Sequence, residues 1–230
     1  MRKPTRSNNG FHPWPGTPET PEFSVTVYCG ASRAARPEFL QLAGEAGRAI
    51  AEQGWHLVYG GGSLGLMGRV AQGALAAGGR VTGVTTVGLE AVEPPHPGLT
   101  RLEVVESMHR RKERMTDLGD AFLVLPGGFG TLDEMFEALT WRQLGIHHKP
   151  VVLLNYRGYF DPILEFVHRA TETGLLHPAH AALFDVATTV PGAIECLAAA
   201  RETPAPVLLP AARSGRKRTT EPGTLGIAGG

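Results

Sequence analysis

The residues best suited to chemistry lie in the run Pro126-Gly127-Gly128-Phe129-Gly130-Thr131-Leu132-Asp133-Glu134. The apolar run Ala121 to Leu125 precedes it, and apolar residues at helical spacing follow it, so it connects the carboxyl end of a buried strand to the start of a helix. Glycines let a ligand approach the main chain closely, and the first N–H groups of a helix attract anions. The run therefore predicts a phosphate site with a carboxylate close by.

A capping box is an alternative interpretation of the same residues. Thr131 and Glu134 have the spacing at which a threonine caps a helix while the glutamate bonds back to the N-cap backbone. In that case Glu134 has only a structural role. The local sequence leaves both interpretations open.

A second glycine cluster follows the predicted strand His56–Tyr59. Gly60, Gly62 and Gly65 match the dinucleotide spacing G-x-G-x-x-G. That pattern also expects an acidic residue at the end of the next strand, where this chain carries Thr85-Thr86. The missing acid favours a mononucleotide over NAD, and the two glycine junctions together indicate one shared nucleotide cleft.

Three motifs in this order resemble the LONELY GUY family. They are YGGGSLGLMG at 59–68, SMHRRKERM at 107–115 and PGGFGTLDE at 126–134, and the similarity runs from about Val25 to Val190. The resemblance implies a Rossmann-like fold, a homodimer, and a nucleoside 5′-monophosphate as the small-molecule substrate. It also implies the reaction, which is hydrolysis of the N-glycosidic bond of an N6-modified adenosine 5′-monophosphate to free base and ribose 5-phosphate.

The resemblance also assigns roles to single residues. The arginine of the Met-His-x-Arg-Lys box is Arg111 and the glutamate that closes the glycine motif is Glu134, and these two form the expected catalytic pair. The residues that fall where the family contacts its substrate are Glu93, Lys112 and Gly127 to Asp133 (Gly127, Gly128, Phe129, Gly130, Thr131, Leu132 and Asp133). The chain departs from many members at Arg110, in place of Glu or Gln, and at Thr86, in place of proline. Arg110 leaves the base preference open.

The expected pair fits the chemistry of glycoside hydrolysis, which builds positive charge on the sugar and negative charge on the leaving base. Glu134 can stabilise the sugar cation, orient the ribose hydroxyls and help to activate water, with Asp133 as a weaker second carboxylate. Arg111 stays charged, so it can hold phosphate or ribose oxygens and keep Glu134 ionised. The alternative for Arg111 is a solvated helix charge, because it lies in the basic run 110–114.

Seven apolar runs alternate with helical stretches, which is the pattern of an α/β fold with a doubly wound, mostly parallel sheet. They are 24–28, 56–59, 81–84, 102–105, 121–125, 151–154 and 184–187. The first helix is predicted to begin at Pro37 and to end near Gly54. Ligands bind at the carboxyl edge of such sheets, where the pattern places Ser32, Gly61 and Gly62 beside the glycine loop.

With 230 residues, the chain is long enough for one α/β domain, expected at 23–202 between flexible tails at 1–22 and 203–230. The C-terminal tail carries a basic cluster at Arg213, Arg216, Lys217 and Arg218. We interpret this cluster as solubilising.

The formal net charge is +0, which implies no nucleic-acid partner. No apolar run is long enough for a membrane span or a signal core, so no membrane partner is expected. Cys29 and Cys196 are too few and too distant for a disulfide framework, so the expected location is the cytoplasm.

The nine histidines raise the question of a metal site. His147 and His148 are neighbours whose side chains point apart, and Pro178 interrupts the pair His177 and His180. We therefore expect no metal and no cofactor.

Other functions remain open on the sequence. A salvage enzyme would act on plain AMP or another purine nucleotide, and a non-catalytic carrier would bind a nucleotide or the molybdenum cofactor, because such carriers resemble this fold. A pyridoxal-dependent amino-acid decarboxylase needs a Schiff-base lysine. The lysines of the chain are Lys3, Lys112, Lys149 and Lys217, and Lys3 and Lys217 lie in the tails, so we do not expect this activity.

Overall fold

The computed structural model describes residues 23–202. The predictions for the two tails, including the basic cluster, lie outside these residues. The strands are β1 Ser24–Tyr28, β2 His56–Tyr59, β3 Val81–Thr86, β4 Arg101–Val105, β5 Ala121–Val124, β6 Val151–Leu154 and β7 Asp185–Ala187. The helices are α1 Pro37–Glu52, α2 Gly65–Ala76, α3 Met108–Leu118, α4 Phe129–Gln143, α5 Asp161–Glu172, α6 Pro178–Ala181 and α7 Val190–Glu202, with a 3₁₀ turn at Tyr156–Gly158.

The strands form one sheet in the order β4-β3-β2-β1-β5-β6-β7, and every neighbouring pair is parallel. The chain winds outward from β1 to one edge and then returns to the other side of β1 with β5. The predicted doubly wound α/β fold is confirmed. The crevice between the ends of β1 and β5 is the topological switch point, where open α/β sheets bind their ligands.

Helices cover both faces of the sheet, which explains why the central strands β1, β2 and β5 are buried along their whole length. One core lies between the sheet and α1, α2 and α7, and the other lies between the sheet and α3, α4 and α5. Within residues 23–202, no helix combines the length and the apolar character that a bilayer crossing requires.

Helix α1 has the predicted ends. Pro37 occupies the first helical position, where its missing N–H costs nothing, and Gly54 follows the helix with a φ of 72° in the left-handed region. Helices α1 and α2 pack closely through glycines, because a Cβ at Gly47 would meet the carbonyl of Val70 and one at Gly73 would meet that of Gly44. These glycines let the backbones of the two helices approach each other closely.

Candidate functional site

A cleft of about 600 Å³ opens at the carboxyl edge of the sheet, at the switch point between β1 and β5. Its volume lies in the usual range for small-molecule sites. The loops after β1, β2, β5 and β6 line it, together with the connection from β3 to β4 and the start of α3. The predicted site residues in its lining are Ser32, Glu93, Arg111, Gly127, Gly128, Gly130, Thr131 and Glu134.

Gly30, just after β1, ties the two glycine clusters together. Its N–H donates to the carbonyl of Pro126 at 3.1 Å, and its own carbonyl accepts from the N–H groups of Leu66 at 2.9 Å and Met67 at 3.3 Å. Hydrogen bonds through Gly30 therefore join the two glycine clusters, as expected if they share one cleft. The same bonds occupy the N–H groups of the second and third residues of α2, so this helix start offers less to an anion than that of α4.

The start of α4 has unsatisfied backbone donors, and its residues Gly128, Gly130 and Thr131 line the cleft. The helix begins at Phe129 with Gly128 as its N-cap, so Thr131 is the third helical residue and not the cap. The capping-box interpretation is therefore wrong. The backbone N–H groups from Gly127 to Thr131 have no acceptor within residues 23–202. Such a row of N–H groups at a helix start is a site for a phosphate.

Arg111 is buried, with 5% of its surface exposed, and each of its three nitrogens donates a hydrogen bond. Nε donates to the carbonyl of Val84 at 2.9 Å, and Nη2 donates to that of Gly60 at 3.2 Å. Nη1 donates to Oε1 of Glu134 at 3.2 Å. The alternative of a solvated helix charge is wrong for this residue.

Its neighbour Arg110 does match that alternative. The side chain is 58% exposed and pairs with Glu106 and Glu113 on the outer face of α3. The cap of α3 explains the difference between the two arginines. The Ser107 hydroxyl accepts from the N–H of Arg110 at 3.2 Å, and the helix that starts there turns Arg111 inward. Arg110 does not line the cleft.

Gly60 leaves the space that the Arg111 guanidinium occupies. A Cβ on Gly60 would overlap Nη2 of Arg111 and would lie 2.6 Å from Cε of Met67. Any other residue at this position would displace the guanidinium from the carbonyls of Val84 and Gly60 and from the Glu134 carboxylate. Gly60 thus provides the room in which Arg111 can pair with Glu134, the two residues predicted as catalytic.

Burial raises the pKa of the Glu134 carboxyl to about 7, although the neighbouring Arg111 guanidinium acts in the opposite direction. The carboxylates of Asp133 and Glu93 raise this pKa further. A group with a pKa near neutrality can both accept and donate a proton at physiological pH. Of the two carboxylate oxygens of Glu134, Oε1 accepts a hydrogen bond from Arg111. Oε2 has no donor within residues 23–202, so it can accept a hydrogen bond from a ligand.

Some of the predicted site residues lie outside the cleft lining. The amine of Lys112, in α3, pairs with two carboxylates of α4, Oδ2 of Asp133 at 3.0 Å and Oε1 of Glu137 at 3.1 Å. Phe129 is 94% exposed. Leu132 packs against the core between the sheet and α4.

Gly61 and Gly62 also lie outside the cleft lining. Gly61 has a φ of 83°, and a Cβ there would come within 3.3 Å of Leu102. The carbonyl of Gly62 accepts from the Tyr59 hydroxyl at 3.1 Å. Both residues shape the turn after β2, and neither appears among the residues that line the cleft.

The sequence did not single out several residues of the lining. Tyr159 donates its hydroxyl proton to the carbonyl of Gly127 at 2.7 Å, and Phe39, Leu89 and Met108 supply apolar surface. In the sequence, Tyr159 is marked only by its position shortly after β6, which places it at the carboxyl edge of the sheet with the other site loops. Cys29 is buried and also lines the cleft, where burial raises the pKa of its thiol and keeps it protonated.

No group of three His, Cys, Asp or Glu side chains in residues 23–202 is placed to hold a metal ion. His147 instead packs its ring against Phe122, with the ring centroids 5.3 Å apart. Desolvation lowers its pKa to about 4, so the ring is neutral.

Comparison with known proteins agrees with the motifs. A family model described as possible lysine decarboxylase matches residues 67–197. A cytokinin riboside 5′-monophosphate phosphoribohydrolase of Rhodococcoides fascians is 48% identical over 175 residues, which cover 76% of this chain and 88% of that protein. The chain belongs to the LONELY GUY family. A family member from Arabidopsis thaliana, cytokinin riboside 5′-monophosphate phosphoribohydrolase LOG7, is 42% identical over 67% of this chain and 71% of its own.

Solved structures share the fold of this LONELY GUY chain. A molybdenum cofactor carrier protein from Chlamydomonas reinhardtii is 27% identical with a TM-score of 0.58, over 78% of this chain and 96% of that one. The molybdenum cofactor binding protein from Rippkaea orientalis, at 24% identity and a TM-score of 0.60, covers 76% of this chain and 95% of its own, and matches it in fold.

Proposed function

We propose that this LONELY GUY protein hydrolyses the N-glycosidic bond of N6-modified adenosine 5′-monophosphates, releasing the free base and ribose 5-phosphate. Relatives at 41–48% identity carry the name of that activity. The observation that carries the proposal is the buried Arg111–Glu134 pair beside the unsatisfied N–H groups at the start of α4. One end of this arrangement suits a phosphate, and the other end suits a sugar that becomes positively charged.

In the proposed binding mode, the 5′-phosphate accepts hydrogen bonds from the N–H groups of Gly127 to Thr131. The ribose lies towards Glu134, about one helical turn further along α4. The base lies against the apolar lining formed by Leu66, Leu89 and Met108. An apolar lining favours a base with an isopentenyl group over plain adenine, because burying the alkyl chain removes it from water.

The proposed reaction breaks the bond between C1′ and the base nitrogen, and the bonding electrons leave with the base. The Glu134 carboxylate stabilises the positive charge at C1′ and accepts a proton from the water that attacks this carbon. The proton then passes to the departing base. Arg111, held by the carbonyls of Val84 and Gly60, keeps the carboxylate in place throughout.

A non-catalytic carrier is the alternative suggested by the likeness to molybdenum cofactor carriers. It would bind its ligand without turnover. The position of Glu134 favours hydrolysis, because a buried carboxylate close to a phosphate site repels an anionic ligand and weakens simple binding. A hydrolase gains from the same charge when the sugar becomes cationic.

The lysines do not favour decarboxylation, the activity in the family model's description. Lys112 is paired with two carboxylates outside the cleft, and the Lys149 amine donates to the carbonyl of Thr116 at 2.5 Å at the end of α3. Neither lines the cleft. Lys3 and Lys217 lie outside the described residues. A pyridoxal cofactor thus finds no Schiff-base lysine in the part of the cleft that residues 23–202 form.

We also propose that the protein is a homodimer. An apolar groove of about 590 Å³ lies between α4 and α5, with Phe136, Leu139, Phe166, Leu175 and Leu176 in its lining. Phe166 is 58% exposed and Leu175 is 87% exposed. Exposed apolar surface of this kind is typical of a protein interface. A second copy of the chain would cover it and keep it from water.

For the location we propose the cytoplasm. Both cysteines in the described residues are free thiols, and Cys29 is buried. Free thiols agree with a reducing compartment.

Chromatography of the reaction products tests the proposed function. Purified protein is incubated with isopentenyladenosine monophosphate and separately with AMP, and the release of free base and ribose 5-phosphate is followed. Release from the modified nucleotide in preference to AMP is the expected result, and preferential release from AMP would indicate purine salvage. Binding of either nucleotide without any base release would support the carrier.

A further inference from the structure

Tyr159 contacts the glycine loop from a different part of the chain. Its hydroxyl donates to the carbonyl of Gly127 at 2.7 Å, across a sequence separation of 32 residues. The tyrosine also lines the cleft. No other side chain in residues 23–202 donates a hydrogen bond to a backbone carbonyl of the Gly127–Gly130 loop.

The turn before Tyr159 holds the phenol in place. Arg157 has a φ of 55° and Gly158 a φ of 71°, so two successive residues adopt the left-handed region and reverse the chain sharply after β6. A left-handed arginine carries a conformational cost that the surrounding structure must offset. Asn155 does so by accepting from the N–H of Phe160 at 2.7 Å and donating to the Asp161 carboxylate at 2.7 Å.

Aromatic rings support the phenol on two sides. The Tyr159 ring packs edge-on against Phe39, at a centroid distance of 5.5 Å, and against Phe160, at 5.0 Å. Phe160 is itself buried in the core. Tyr159 is itself 41% exposed, and these two ring contacts and the turn before it hold its hydroxyl towards the glycine loop.

The carbonyl of Gly127 and the N–H of Gly128 belong to one peptide group. In a trans peptide these two bonds point in opposite directions, so a hydrogen bond that holds the carbonyl also sets the direction of the N–H. The N–H of Gly128 is among the unsatisfied donors at the start of α4. Glycines on both sides leave this peptide free to rotate unless something holds it.

We propose that Tyr159 is a positioning residue for the phosphate, because it fixes the peptide between Gly127 and Gly128 with its N–H directed at the anion. This inference rests on the proposed function in one respect, which is the assignment of the phosphate to the start of α4. It predicts a contribution to binding the phosphate group and none to binding the nucleoside.

The test is a calorimetric titration of Tyr159→Phe with AMP, adenosine and inorganic phosphate. The substitution keeps both ring contacts and removes only the hydroxyl. Tyr156→Phe is the matched control, because Tyr156 packs against the same Phe39 at 6.1 Å but makes no side-chain hydrogen bond to the glycine loop. If Tyr159→Phe does not fold, Phe39→Leu replaces it and should give a smaller loss of the same kind.

The expected result is an affinity about five-fold lower for AMP and phosphate, with adenosine binding unchanged, since one hydrogen bond contributes on this scale. An equal loss for AMP and adenosine, or no loss for AMP, would overturn the inference. The titration does not depend on turnover. If the wild-type protein releases no base but Tyr159→Phe still loses phosphate selectivity, the proposed function fails and the inference stands.

Discussion

The Arg111 guanidinium donates to the Glu134 carboxylate at 3.2 Å, although the two residues lie on different helices and 23 positions apart in the chain. Two backbone carbonyls hold the arginine, and the arginine in turn holds the carboxylate. The pair is buried at the switch point of the sheet, beside the start of α4. Its orientation is therefore set by the fold before any ligand arrives, which is the condition for effective electrostatic catalysis.

Arg111→Lys should reduce the rate of base release by about 100-fold or more, because a single amine cannot reach two carbonyls and a carboxylate at once. The kcat for isopentenyladenosine monophosphate is the measurement. The matched control is Arg110→Lys, since Arg110 is the adjacent arginine and is exposed on the outer face of α3. Its activity should stay within about two-fold of the wild type. A similar loss in both variants would show that the basic run acts as a whole and not through Arg111.

Gly60→Ala should reduce activity more than stability, because the new methyl group overlaps Nη2 of Arg111 and crowds Met67. We expect a loss of at least about ten-fold in kcat/KM with a melting temperature that falls by only a few degrees. Gly44→Ala is the control, since its Cβ would meet nothing closer than the carbonyl of Arg69 at 3.9 Å. An active Gly60→Ala enzyme would contradict the role assigned to the position of Arg111.

The rate should fall in acid with a midpoint near pH 7. Burial raises the pKa of Glu134 to about 7, and the proposed reaction needs the carboxylate. As the pH drops below this pKa, the protonated and inactive form accumulates, so kcat/KM should fall about ten-fold for each further pH unit.

Asp133→Asn separates the titration of Glu134 from that of the substrate phosphate. The Asp133 carboxylate helps to raise the pKa of Glu134, so its removal should move the midpoint to lower pH. The phosphate group of the substrate keeps its own pKa in both enzymes. A midpoint that is identical in the variant and the wild type would assign the acid limb to a group other than Glu134.

Phe166→Glu should convert the proposed dimer into a monomer, because it places a charge in the apolar groove between α4 and α5. Light scattering coupled to size-exclusion chromatography measures the mass. Val87→Glu is the control, since Val87 is exposed but does not line the groove. A wild-type protein that is already monomeric would refute the dimer directly.

Much of the fold follows from the sequence. The seven apolar runs correspond to the seven strands, although β3 continues to Thr86, two residues beyond the expected end. Local patterns suffice here because β1, β2, β3, β5 and β6 are buried along their whole length and so appear as apolar-rich runs. Pro37 and Gly54 marked the ends of α1.

The candidate site follows from the sequence only in part. The family motifs named Arg111 and Glu134, but the choice between a capping box and a ligand site depended on whether α4 begins at Phe129 or later. Helix starts shift by a residue or two without a clear sequence signal. Tyr159 was missed because its partner is a backbone carbonyl, which leaves no trace in residue types. The ion pairs between Lys112 of α3 and the carboxylates of α4 also depend on how these two helices pack.

The most direct measurement is a time course of base release from isopentenyladenosine monophosphate by the wild-type protein and by Glu134→Gln, at equal and saturating substrate. The variant keeps the shape of the side chain, and its nucleotide binding is measured alongside to establish that the cleft is intact. The prediction is steady release by the wild type and a rate at least about 100-fold lower for the variant. Equal rates, or no release by the wild-type protein, would contradict hydrolysis by the Arg111–Glu134 pair.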